Sequence, residues 1–123
     1  MMEHQIIKGF MLGTMIFLGS CYYDNEEDLY PPTECISDNM SYQSDVVPII
    51  SNNCYVCHSA ISNTGDVTLE GYDEIKKYVD SGQLMGAINH NAGFSPMPQD
   101  APKLNDCSIS KIESWIADGA PNN

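Results

Sequence analysis

The stretch "NNCYVCHSA", residues 52–60, sets Cys54 and Cys57 two residues apart and follows them at once with His58. Five cysteines and three histidines scattered through 123 residues rarely fall into C-x-x-C-H by chance, so the spacing asks for a chemical reason. Which reason applies depends on whether these thiols meet an oxidising or a reducing compartment. The N-terminus answers that.

Residues 1–21, "MMEHQIIKGFMLGTMIFLGSC", carry Lys8, an apolar run from Phe10 to Leu18, and the small residues Gly19 and Ser20 ahead of Cys21. This is the layout of an export signal, and the apolar run is too short to span a bilayer. The residues "LGSC", 18–21, resemble the lipobox of bacterial lipoproteins. That resemblance implies cleavage before Cys21, a diacylated Cys21 as the new N-terminus, and an exported protein anchored to a membrane and facing the periplasm or the cell surface. Glu3 offsets Lys8, which departs from the usual positive leader; the plainer reading is an ordinary cleaved signal with a cysteine beside it. Residues 22–34 hold Asp24, Glu26, Glu27 and Asp28 ahead of Pro31 and Pro32, show no sustained periodicity, and read as a tether. The expected organisation is a signal peptide at 1–20, a lipidated acidic tether at 21–34 and one domain at 35–123.

Composition narrows the partners. Seventeen acids stand against five lysines and no arginine, a net charge of −12. Removing residues 1–20 takes away only Glu3 and Lys8, so the acidic surface belongs to the mature chain. This excludes nucleic acid and anionic headgroups as electrostatic partners and favours a protein with a basic docking surface. At 42% hydrophobic and 18% charged residues, the composition is that of a folded domain rather than an acidic disordered chain.

The remainder reads as helical, with little strand-like alternation and no internal repeat. In "DVVPIISNN", Val46, Ile49 and Ile50 recur at helical spacing, with Asp45 as an N-cap and Pro48 tolerable in a first turn; this predicts a short helix running into Cys54. "GYDEIKKYVDSG" places Tyr72, Ile75, Tyr78 and Val79 on one face and Lys76 and Lys77 on the other, with Gly82 as a stop. "QLMGAINH" adds a turn or two, interrupted by Gly86. The strongest pattern is "SISKIESWIADGAPNN", where Ile109, Ile112, Trp115 and Ile116 share a face, Ser108 or Ser110 caps the start and Gly119 ends it. Between the last two lies "NHNAGFSPMPQDAPKLND", residues 89–106, a proline-rich loop of a length that usually marks function.

In an exported chain the C-x-x-C-H spacing serves one chemistry well. Two thiols add across the two vinyl groups of haem, and His58 lies beneath the ring and binds iron. A structural zinc site would need a second ligand pair, and beyond His58 only His4 and His90 remain as histidines. A thioredoxin-like dithiol would sit in a βαβ pattern, which is absent. A plain disulfide leaves His58 unexplained.

On this motif, the helix leading into "CYVCH", a proline-flanked methionine downstream and a terminal helix bearing Trp115, residues 43–120 resemble a small monohaem cytochrome c. The resemblance implies an all-α, cytochrome c-like domain of three to five short helices around one covalently bound haem c, its first and last helices in contact and a loop carrying the distal iron ligand. With Met1, Met2, Met11 and Met15 lost in the signal peptide, Met40, Met85 and Met97 remain. Met97, stiffened by Pro96 and Pro98 on a distant loop, is best placed for the sixth position, whereas Met85 reads as core. His90 is the rival, and an open or water-bound iron the third possibility. Cys54, Cys57, His58 and Met97 are thus the expected cofactor-binding residues, with His58 and Met97 on iron.

Cys35 and Cys107 are left over and are expected to be bridged in an oxidising compartment. The function implied is electron transfer between exported redox proteins, with no substrate bond made and hence no enzyme. The alternative is a haem-based small-ligand sensor or accessory module with an open iron site. A c-type peroxidase is disfavoured because such enzymes usually carry two haems and this chain has one motif.

Overall fold

A computed structural model of the protein describes residues 34–123. The signal peptide read at 1–20, Cys21 and the tether up to residue 33 lie outside the described residues. Every regular element among the described residues is helical, and residues Cys35–Asn123 pack as one compact unit.

The first helical stretch begins a turn earlier than the apolar spacing suggested. Ser41 caps it, its Oγ accepting from Ser44 N at 3.2 Å, while Asp45 reaches back to accept from Ser41 N at 2.9 Å. Asp45 therefore is not the N-cap but the carboxylate that answers it. The first turn, Tyr42–Val46, is π-helical, with Val46 N donating to Ser41 O at 3.2 Å. It continues into α1, Val47–Asn53, with Pro48 in the first regular turn, where a missing donor is tolerated. The reason for the early start is Tyr42, whose ring is buried and extends the stripe Tyr42, Val46, Ile50 along one face.

A single turn, α2 (Tyr55–His58), follows a kink at Cys54. A 3₁₀ turn at Thr64–Asp66 leads to α3, Tyr72–Asp80, which buries Ile75 and carries on its outer side the ion pairs Lys76–Asp80 and, at 2.7 Å, Lys77–Glu74. Gly82, with φ +76°, stops it. α4, Gln83–Ile88, packs back on α3 and buries Leu84 and Ile88. No regular element lies between Ile88 and Asp106, as the prolines there require.

α5, Asp106–Ala117, also starts earlier than read. Its cap is Asn105, whose Oδ1 accepts from Ser108 N at 2.8 Å, not Ser108 or Ser110. Ile109, Ile112 and Trp115 form its buried face, and the helix packs on the Tyr42–Val46 turn. There the Trp115 and Tyr42 rings stack at 5.6 Å, and Tyr72 meets Tyr42 edge-on at 5.2 Å. The polar ends of these rings are satisfied: Trp115 Nε1 donates to Pro121 O at 2.9 Å and Tyr72 Oη to Ala120 O at 2.8 Å.

Cys35 and Cys107 are bridged, with Cα atoms 5.6 Å apart and a sequence separation of 72. The bridge ties the start of the unit to the first turn of α5. No helix among the described residues is long and apolar enough to cross a membrane.

Two stability outcomes follow from this packing. Trp115 is 0% exposed, so Trp115→Ala should cost about 3–5 kcal/mol, whereas Ile36→Ala, at 69% exposure, should stay within about 0.5 kcal/mol. Urea unfolding at fixed protein concentration checks both. Reduction of the Cys35–Cys107 bridge should lower the unfolding free energy by up to about 4 kcal/mol, the loop-closure entropy of a loop this long.

Candidate functional site

The C-x-x-C-H residues are displayed by one turn of helix. Cys54 N donates to Ile50 O at 2.8 Å as the last bond of α1, and Cys54 O then accepts from both Cys57 N, at 3.1 Å, and His58 N, at 2.8 Å. Residues i, i+3 and i+4 of a turn share a face, so this bonding sets Cys54, Cys57 and His58 side by side. The intervening Tyr55 packs on the core, and Val56 faces solvent.

The chain after the turn folds back to hold the imidazole. Leu69 N donates to His58 O at 2.8 Å, and Val67 O lies 3.1 Å from His58 Nδ1. A carbonyl only accepts, so Nδ1 carries the proton and Nε2 keeps its lone pair. A neighbouring acceptor of this kind fixes the orientation of the ring. The return loop is closed by Glu70, whose Oε2 accepts from Ala60 N at 2.8 Å, and by Thr68 Oγ1 donating to Asn63 Oδ1 at 2.8 Å.

Cys54, Cys57 and His58 open on a cavity of about 580 Å³, within the size range of small-molecule pockets. Its other walls come from Tyr78 on α3, Leu84, Ala87 and Ile88 on α4, Val67 and Leu69 on the return loop, and Phe94, Met97, Pro98 and Leu104 on the long loop. Cys54 and Cys57 are free thiols; Cys57 is exposed, while burial, with a lesser effect from Cys57, pushes the Cys54 thiol up to about 11. Among the described residues no three His, Cys, Asp or Glu side chains gather as a ligand set for a bare metal ion.

Met97 thus lines the same cavity as the motif, and its backbone is pinned on both sides. Met97 N donates to Ala87 O at 3.0 Å, and Met97 O accepts from His90 Nε2 at 3.0 Å. His90 is exposed and does not line the cavity; its Nε2 is committed as a donor. His90 thus spends Nε2 on the Met97 carbonyl, whereas His58 spends Nδ1 on Val67 O. Met40 is buried in the core and Met85 packs against it, both outside the lining.

Gly86 was read only as an interruption of its helix, yet it shapes the wall. A Cβ built on Gly86 would fall 2.5 Å from three atoms of the Phe94 ring, so the loop closes over α4 only because residue 86 has no side chain. The signal was available as an isolated glycine inside an apolar helical pattern, which marks a close approach. The Val67 acceptor had none, because any residue supplies a carbonyl.

Gly86→Ala should therefore destabilise the protein by about 1–3 kcal/mol despite the better helix propensity of alanine. In a Phe94→Ala background the same change should become stabilising. A double-mutant cycle by urea unfolding reads the reversal, and an unchanged sign would refute the contact.

No protein-family model, no curated protein and no solved structure matches this chain.

Proposed function

We propose that this domain is an electron-transfer protein carrying one covalently attached c-type haem. Cys54 and Cys57 would form the two thioethers, and His58 and Met97 the axial ligands. One observation carries the reading: two free thiols and a histidine with an unencumbered Nε2 share one helical turn on an apolar cavity, and a methionine from a separate loop lines that same cavity. The donor set matches the group, since soft thioether and imidazole suit haem iron, and Leu84, Ile88, Val67 and Leu104 supply apolar walls for a macrocycle. When bound, the haem supplies one-electron exchange between Fe(II) and Fe(III).

The chain's own residues do the rest. Val67 O holds the His58 ring in one tautomer. The apolar walls, with thioether ligation, would favour the ferrous state. The net charge of −12 would steer a basic redox partner, with weak and salt-sensitive docking. The Cys35–Cys107 bridge is the kind of bond an oxidising compartment permits, which supports export and, through the lipobox at Cys21, anchoring to a membrane facing the periplasm or the cell surface.

The test is spectroscopic. Haem should stay with the polypeptide through denaturing electrophoresis, and the oxidised protein should show the far-red charge-transfer band of methionine ligation. Met97→Ala should abolish that band, lower the reduction potential and open the ferrous protein to carbon monoxide. Release of haem on denaturation would overturn covalent attachment. A wild-type protein that lacks the band and binds carbon monoxide rapidly would instead be the haem-based sensor.

A further inference from the structure

Three helices of the domain end on a residue in the left-handed region: α3 on Gly82 (φ +76°), α5 on Gly119 (φ +93°) and α4 on His90 (φ +56°). α4 and α5 close in the same way. Gly119 N donates to Ile116 O at 3.0 Å and Ala120 N to Trp115 O at 2.9 Å; His90 N donates to Ala87 O at 3.2 Å and Asn91 N to Gly86 O at 2.9 Å. This closure favours glycine at its left-handed position, because a Cβ there crowds the backbone. Two of the three positions obey that preference. Histidine at 90 breaks it, and the backbone closure offers no reason for it.

The ring does. Of the two polar backbone groups of Met97, the N–H is already held by Ala87 O at 3.0 Å; the carbonyl is held by His90 Nε2, at 3.0 Å. The helix end and the long loop are thereby joined at the one residue of the loop that brings a thioether to the cavity.

We infer that His90 is a positioning residue for Met97: it accepts backbone strain at the end of α4 in order to fix the Met97 peptide, and so limits how far the thioether can swing out of the cavity. The inference rests on the reading of Met97 as an axial ligand. His90 acts on the iron site through Met97, not by binding iron.

The experiment titrates the oxidised haem-loaded protein with imidazole, a competitor for the sixth position, and follows the far-red band in wild type, His90→Gly and His90→Gln. Glycine preserves the helix closure and removes the ring; glutamine restores an amide N–H donor of similar reach. In His90→Gly the band should persist without ligand and the unfolding midpoint should equal or exceed that of wild type, yet imidazole should displace the methionine about fivefold more readily, the effect of one lost hydrogen bond. His90→Gln should recover part of that resistance. Wild-type imidazole affinity in His90→Gly overturns the inference and leaves Met97 ligation standing. A raised affinity accompanied by a lowered unfolding midpoint also overturns it, assigning His90 to the fold alone. If Met97→Ala changes neither band nor imidazole affinity, Met97 ligation itself fails and the inference falls with it.

Discussion

The stack of Tyr42 on Trp115, at 5.6 Å, joins two segments that nothing local would bring together. Tyr42 opens the helical stretch that ends in the C-x-x-C-H turn, and Trp115 lies near the end of α5. Because α1 and the motif turn continue from the Tyr42 turn, the orientation of Cys54, Cys57 and His58 is inherited from where that ring docks. Tyr72 meets the same ring edge-on, so α3, and through it α4, takes its position from the same cluster. The cavity is framed by elements that answer to one aromatic contact.

Much of this frame was legible in the sequence. Tyr72, Ile75, Tyr78 and Val79 fell on one face as their spacing required, and Gly82 and Gly119 stopped their helices where a left-handed residue was needed. The helix starts were not legible to the residue. Ser41 and Asn105 cap one turn upstream of the residues that periodicity suggested, because a cap depends on which side chain can reach a free N–H, and several candidates stood in each window. Of the site, the spacing of Cys54, Cys57 and His58 and the flanking prolines of Met97 gave the side chains that now share a cavity. What pattern could not supply were contacts made by backbone or by the absence of a side chain: Val67 O on His58, Met97 O on His90, and Gly86 under Phe94.

Some of the chain's departures from local preference lie on the segments that lead to this cavity. Cys54 kinks the helix at φ −124°, ψ −32°. The loop toward Val67 passes through left-handed Asn63, Gly65 and Asp66, the residue types for which that region costs least. His90 repeats the pattern at the end of α4. Sequences that fold well satisfy local rules nearly everywhere, and the exceptions mark where geometry serves something other than stability.

The bridge between Cys35 and Cys107 encloses Cys54 and Cys57 in sequence, and that nesting sets a sorting problem for the folding chain. Four thiols allow three pairings, and the entropy of loop closure makes the shortest loop, Cys54–Cys57, the quickest to form. The observed pairing is the one that closes the longest loop. Once the chain has folded, exchange at Cys54 is slow, because a thiol pushed up to about 11 supplies little thiolate at neutral pH. The outer bridge thus forms against a competitor that loop entropy favours, and holding the inner pair reduced while the chain folds would favour the outer one.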